Sequence, residues 1–415
     1  MRPYSADSPW DFEPGLTFLT HGTFGACPRP IVERRMELIR ELEANPIRFY
    51  TRDYEERFDA ARREVAAFLG ADPAGTVIVP NATTGVATVL ESLRLRPGDE
   101  LLTNDHEYNA TLNALETVAA RAKARVVRVS IPLPIRHPEE VVEAILRGVT
   151  PHTRLALISH VTSPSGLVFP IEAIVRELAR LGVETLVDAA HAPGMVPVDV
   201  DALGAAYWTG NGHKWLCGPK SVGVLVVRED RRTGVLPLVT GHGRNDLRLD
   251  RPALWREFDW PGTADTTAFF ALPEALRLIG GLQPGGWPAH MAANHALAIA
   301  GRQLLNDRLG LEPLAPESMI GAMASIRMPT VLDEDGANAI AHSLAAEERI
   351  EVPIAVFPVR AARAPGAPPS ENLLRISAQR YNELADYELL ADALVRRGLG
   401  RAHAVARGAS AIVAG

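Results

Sequence analysis

The sequence predicts an α/β protein, with a mostly parallel sheet between layers of helices and a smaller α+β domain after it. Three observations carry this. From Asp99 to Asp188, short apolar runs alternate with amphipathic stretches of helical length, the pattern of a parallel sheet covered on both faces. Polar residues follow successive runs, as at the C-terminal edge of an open α/β sheet, where ligands bind. Beyond Gly310 the predicted order changes to strand, helix, strand, strand.

The chain has 415 residues, 47% hydrophobic and 22% charged, an ordinary globular composition. A balance of 43 basic against 50 acidic residues, formally −7, argues against a nucleic-acid binder, and no basic run is present. Two cysteines, Cys27 and Cys217, exclude a disulfide framework and a CxxC metal site, and a reducing compartment follows as the simpler setting. The N-terminus does not read as a signal peptide, and no run approaches the ~20 apolar residues of a membrane span. A cytoplasmic protein is expected.

Taken in order, the chain opens with a glycine-bearing segment at 16–28, LTFLTHGTFGACP, whose Gly22 and Gly25 suit either a close backbone approach or a plain turn. Helical patterns follow at 30–43 and 53–69, on either side of the breaker Asn45-Pro46. An apolar run at 76–80 leads into Asn81-Ala82-Thr83-Thr84-Gly85 at the head of a helix. Free N–H groups there, aided by the hydroxyls of Thr83 and Thr84, suit a phosphate; an ordinary Asn cap explains the same residues. Strands are predicted at 100–104, 125–130, 155–159, 183–188 and 221–227, with helices at 110–122, 138–146 and 171–181. The mixed-charge stretch 238–260 reads as a surface or subunit-contacting loop. Helices at 267–279 and 288–309 lead to strands 324–328, 354–359 and 373–377, with helices at 336–346 and 383–397. The alanine-rich tail is low in complexity. The chain thus divides into an N-terminal segment (1–30), a large domain (31–285), a small domain with its linking helix (286–400) and a tail (401–415).

The chemistry concentrates at 183–219. An apolar run ends on Asp188, and Lys214 follows among small residues, His213 and Trp215. A lysine in a partly apolar pocket can be uncharged enough to form a Schiff base with a carbonyl. A nearby carboxylate keeps a pyridine nitrogen protonated, and the pair points to pyridoxal 5′-phosphate. One histidine after a strand is an ordinary hydrogen-bonding group. Three of them, His106, His160 and His191, favour one shared crevice.

Five stretches then occur in order: His21-Gly22-Thr23-Phe24-Gly25-Ala26-Cys27-Pro28, Asn81 to Gly85, Asp188-Ala189-Ala190-His191-Ala192-Pro193-Gly194, Gly210-Asn211-Gly212-His213-Lys214-Trp215-Leu216, and Arg375 to Gln379 with Tyr381-Asn382. Together they resemble the class V aminotransferase-type enzymes of fold type I, in the isopenicillin N epimerase-like branch. The resemblance implies a pyridoxal-phosphate-binding large domain with a sheet of seven-stranded type, an amino-acid substrate, and a homodimer with shared active sites. It makes Lys214 the Schiff-base lysine and Cα proton carrier, and places Asp188 on the pyridine N–H and His191 on the O3′ side of the ring. Thr83, Thr84 and His213 would bind the phosphate, reached by Gly262 and Thr263 of a second subunit. His106 or Tyr108 would stack on the ring, since the register allows either, and Tyr108 is also a candidate second acid. Arg375 would take the substrate α-carboxylate, although an arginine within LLRIS also suits a structural ion pair. Gly22, Thr23, Phe24 and Arg48 are candidate walls of the side-chain pocket.

The absence of cysteine after Cys217 removes the loop nucleophile that a cysteine desulfurase needs, so desulfuration is not expected. Epimerisation, C–S β-elimination and transamination all begin at Cα, and these motifs do not separate them. Epimerisation leads because the branch resembled carries that name. A scaffold without turnover has no need of Lys214, Asp188 and Arg375 together.

Overall fold

A computed structural model describes residues 8–363, 366 and 369–399. Seven strands build the large sheet: β1 (Thr76–Val79), β2 (Glu100–Asn104), β3 (Arg125–Val129), β4 (Thr153–Ser159), β5 (Glu184–Ala189), β6 (Tyr207–Asn211) and β7 (Gly223–Val227). Their order is β1-β7-β6-β5-β4-β2-β3, and β7 alone of the seven runs against its neighbours. The predicted parallel core is therefore present. Strand β6 was not among the predicted strands: its sequence, YWTGN, holds one glycine and two polar residues and lacks an aliphatic run. Burial on both faces, with Trp208 1% exposed, makes it a central strand nonetheless.

Chain order reverses between β2 and β4, which lie side by side although β3 and its crossover separate them in sequence. Such a switch point splays the loops at the strands' C-terminal ends and opens a crevice. Residues after β2, β4 and β5 border it, and Ser159 and Asp188 are register partners at the ends of β4 and β5.

The helix Gly286–Leu309 leads to the small domain, where β8 (Met323–Arg327), β9 (Ile354–Phe357) and β10 (Glu371–Ser377) form an antiparallel sheet in the order β9-β10-β8. Helices Glu334–Glu348 and Leu384–Arg396 accompany it, as the sequence pattern indicates. The N-terminal segment is tied to this domain, because Thr17–Phe18 pairs in parallel with Ile350–Glu351. The stretch 238–260 holds the short helix Ala253–Phe258, and its Leu247 and Leu249 are almost wholly exposed. Among the described residues no helix is long and apolar enough to cross a membrane. The tail from 400 lies outside the described residues.

Candidate active site

Lys214 sits just past β6, and its Nζ lies 3.0 Å from His191 Nε2. Burial first, and then the charge of Arg375, pushes the ammonium well below its ordinary value, while Asp188 opposes the shift. Asp188, 4% exposed at the end of β5, is pushed up by burial against the pull of Lys214 and of a 3.0 Å hydrogen bond from the Ala190 N–H. His191 is held well below the usual imidazole range by burial and by Lys214, so it is neutral, and its Nδ1 has no partner among the described residues. The crevice therefore holds an amine that tends to lose its proton beside a carboxyl that tends to keep one.

Arg375 projects from β10 and is 6% exposed. Its Nη1 donates to the Ser163 carbonyl, and its Nη2 donates to Thr23 Oγ1 at 2.9 Å. Among the described residues no carboxylate pairs with it, and its buried Nε has no acceptor. Burial lowers this guanidinium to about 10, against the influence of Tyr108. The ion-pair alternative for this arginine is thus not what the fold builds. A cavity of about 450 Å³ opens on Arg375 and Tyr108, walled by Pro353, Ile354 and Val356 and rimmed by Asn338 and Arg360.

At the head of the helix Ala82–Ser92, Asn81 Oδ1 accepts from the Thr84 N–H at 2.9 Å, so the ordinary cap is present. Asn211 Oδ1 accepts from the Ala82 N–H at 2.8 Å. Thr83 stays exposed at this helix start, with Thr84 partly so. His213 is partly buried, and burial lowers it to about 4.

His106 and Tyr108, the two alternatives for the ring, differ in burial. His106 is wholly buried, with Nδ1 2.7 Å from Ser165 Oγ and Nε2 2.7 Å from the Ile131 carbonyl, and its ring packs beside Phe169 and Phe357. Both its nitrogens are bonded within the protein, and two aromatic rings pack against it. Tyr108, two residues on, is 44% exposed at the cavity. The other expected residues divide as follows. Gly22 is buried, its N–H donating to Ser377 Oγ at 3.0 Å, and Thr23 joins Arg375. Phe24, 69% exposed, and the exposed pair Gly262 and Thr263 lie on the outer surface of the chain. Arg48 is exposed and pairs with Asp53 at 3.3 Å, so one chain does not bring it to Arg375.

These groups fit pyridoxal 5′-phosphate. Asp188 is a buried carboxyl that accepts from the Ala190 backbone N–H, which leaves it suited to a further N–H. Lys214 is the depressed amine that a carbonyl requires. With the Ala82 and Thr84 N–H groups capped, this helix start offers an anion the exposed Thr83.

The sequence matches the aminotransferase class-V family over residues 23–390. This chain belongs to that family. Pyridoxal 5′-phosphate is its cofactor, and the protein is an enzyme. It is 35% identical to the isopenicillin N epimerase of Amycolatopsis lactamdurans, across 92% of this chain and 95% of that one. It is 30% identical to a probable chloroplastic L-cysteine desulfhydrase of Arabidopsis thaliana, across 93% and 84%. Among solved structures, a cystine C–S lyase bound to its product cysteine persulfide is similar at a TM-score of 0.75 with 21% identity, covering 92% of this chain and 97% of that one. A cysteine desulfurase of Escherichia coli is similar at 0.75 with 20% identity, covering 95% and 98%.

Around this class V site stand polar residues that sequence reasoning did not single out. Glu107 is fully buried and accepts from Ser159 N at 2.7 Å, Ser159 Oγ at 2.5 Å and Asn104 Nδ2 at 2.7 Å. Burial foremost, with the Asp188 charge among the lesser causes, raises it to about 8. Asn211 lay inside a quoted motif and His21 opened another, so position in a motif was the available signal for both.

Proposed function

We propose that this enzyme moves the Cα proton of an amino acid with an extended side chain, and acts as an epimerase. The observation that carries the reading is Arg375: a buried guanidinium with which no carboxylate of the described residues pairs, facing a cavity of about 450 Å³. A planar carboxylate satisfies such a fork. Volumes of this size suit ligands considerably larger than cysteine. When bound, pyridoxal 5′-phosphate withdraws electrons from Cα and so makes its proton acidic.

The chain's own residues do the rest in this reading. Asp188 holds the pyridine N–H, and Thr83, Thr84 and His213 hold the phosphate. Lys214, its ammonium lowered by burial to about 7, takes the proton from one face of Cα, with His191 steadying its Nζ. Tyr108, exposed at the cavity beside Arg375, supplies the other face in this reading. Exposed Gly262 and Thr263 would complete the phosphate site of a second copy, which makes the working unit a homodimer. Relatives named as epimerases at 35% and 32% identity support the assignment.

A second reading, C–S β-elimination, draws on the desulfhydrase relatives at 27–30% identity. It needs a single base and a leaving group at Cβ. Persulfide chemistry on a protein cysteine is set aside: Cys217 is buried, its thiol is pushed up by burial, and no cysteine follows it.

The test is Cα hydrogen–deuterium exchange in D₂O, followed by NMR across L- and D-amino acids, cysteine thioethers and peptide-extended amino acids. Exchange accompanied by the opposite enantiomer supports epimerisation. A keto acid with ammonia would replace that reading by elimination.

A further inference from the structure

His21 is fully buried, outside the groups assigned above, and contacts the lysine loop directly. Its Nε2 lies 3.0 Å from the backbone carbonyl of Lys214, its Nδ1 lies 2.8 Å from Tyr381 Oη, and Ala26 N–H approaches Nδ1 at 3.4 Å. A carbonyl only accepts and a backbone N–H only donates, so Nε2 carries the proton and Nδ1 receives the Tyr381 hydroxyl. Burial lowers the imidazole to about 3, so it stays neutral and this pattern persists across the working pH range. The ring is packed 4.9 Å from Trp215, the residue after the lysine.

The next residues reach the substrate side of the site. Gly22 N–H donates to Ser377 Oγ, and Thr23 Oγ1 accepts from Arg375 Nη2 at 2.9 Å. The fit leaves no slack: a Cβ on Gly22 would lie 2.3 Å from Met323 Sδ, and one on Gly25 2.0 Å from the His213 carbonyl. Within the five residues His21 to Gly25, the two ends, His21 and Gly25, touch the lysine loop, and Gly22 and Thr23 between them touch the small-domain strand β10.

We infer that His21 is a positioning residue that couples the Arg375 site to the Lys214 loop through the N-terminal segment. The inference rests on reading Lys214 as the cofactor's lysine and Arg375 as the carboxylate's arginine. Occupancy at Arg375 firms the grip on Thr23, and the His21 Nε2–H bond passes that order to the backbone that carries Lys214.

The experiment is hydrogen–deuterium exchange mass spectrometry on the holoenzyme, with and without saturating acetate. In the natural protein acetate is expected to slow exchange about fivefold, the low end of ordinary site-to-site coupling, both at Thr20–Ala26 and at Gly212–Gly218. In His21→Phe the first protection stays and the second is lost. His21→Gln keeps an N–H donor in that region and is expected to restore it, which a merely space-filling role would not do. Tyr381→Phe releases the other ring nitrogen and is expected to weaken transmission, so it serves if His21→Phe does not fold. Loop protection that is unchanged in His21→Phe or Tyr381→Phe, or lost equally in the Gln variant, overturns the inference. The two ideas fail differently. If acetate protects both segments in Arg375→Met as strongly as in the natural protein, it is the reading of Arg375 that falls.

Discussion

Replacing Arg375 by Met separates a ligand-binding arginine from a structural one. The guanidinium is buried with no carboxylate paired to it among the described residues, and its fall to about 10 corresponds to about 3 kcal/mol spent on keeping it charged. Methionine removes that cost and roughly fills the space of the stem. It also forfeits two charge-assisted hydrogen bonds, to the Ser163 carbonyl and to Thr23 Oγ1, at about 1.5–3 kcal/mol each. The opposing terms leave a net loss of about zero to 3 kcal/mol. Urea denaturation of the cofactor-free protein should therefore place Arg375→Met no more than about 3 kcal/mol below the natural protein. Breaking a buried ion pair costs about 3–5 kcal/mol. Acetate adds the second half of the assay, because a ligand at 100 times its Kd stabilises by about 2.7 kcal/mol. The natural protein should gain stability with acetate, and the variant should not. A variant that loses clearly more than 3 kcal/mol, or that responds to acetate as before, would refute the argument.

Lys214→Ala should lose the visible absorption of the lysine-bound cofactor and all Cα exchange; surviving exchange would make another group the base. Glu107 bears on pH. It keeps its proton up to about pH 8 in the fold and releases it near 4.5 when unfolded, so the native state holds more protons between those values. Stability should then fall as pH rises through that window, by at most about 5 kcal/mol, and level off above it. Glu107→Gln should flatten this slope in denaturation curves taken at pH 5 and pH 8; an unchanged slope would assign it elsewhere. Gly25→Ala places a Cβ 2.0 Å from the His213 carbonyl at a backbone φ of +70°, so a loss of about 1–3 kcal/mol and weaker cofactor retention are expected in thermal melts and absorption spectra. A full-strength spectrum with an unshifted melt would contradict that packing.

The parallel core was legible because its strands are aliphatic runs between amphipathic helices, and Asp188 could be read because it ends such a run. Strand β6 escaped because its burial comes from neighbours on both sides rather than from its own composition. The choice between His106 and Tyr108 could not be made from sequence. Both follow β2, and what hides His106 is Phe169 and Phe357, brought in from distant parts of the chain. In the same way, LLRIS says nothing about partners. That Arg375 has no carboxylate is a fact of the tertiary arrangement around Ser163 and Thr23. Motif order identified which residues matter, and packing decided which way they face.

The electrostatics of the crevice explain why these residues are kept together. Lys214 is pushed down, Asp188 up, and His191 and Arg375 down, each chiefly by burial. An apolar replacement of similar shape would spare the fold each of these costs. The groups that would relieve them are a carbonyl for the amine, an N–H for Asp188 and a carboxylate for the guanidinium. Pyridoxal phosphate supplies the first two, and an amino acid supplies the third. Binding should therefore stabilise the fold as it assembles the site, and the same burial that weakens the empty crevice keeps Lys214 basic enough, yet unprotonated enough, to act at Cα.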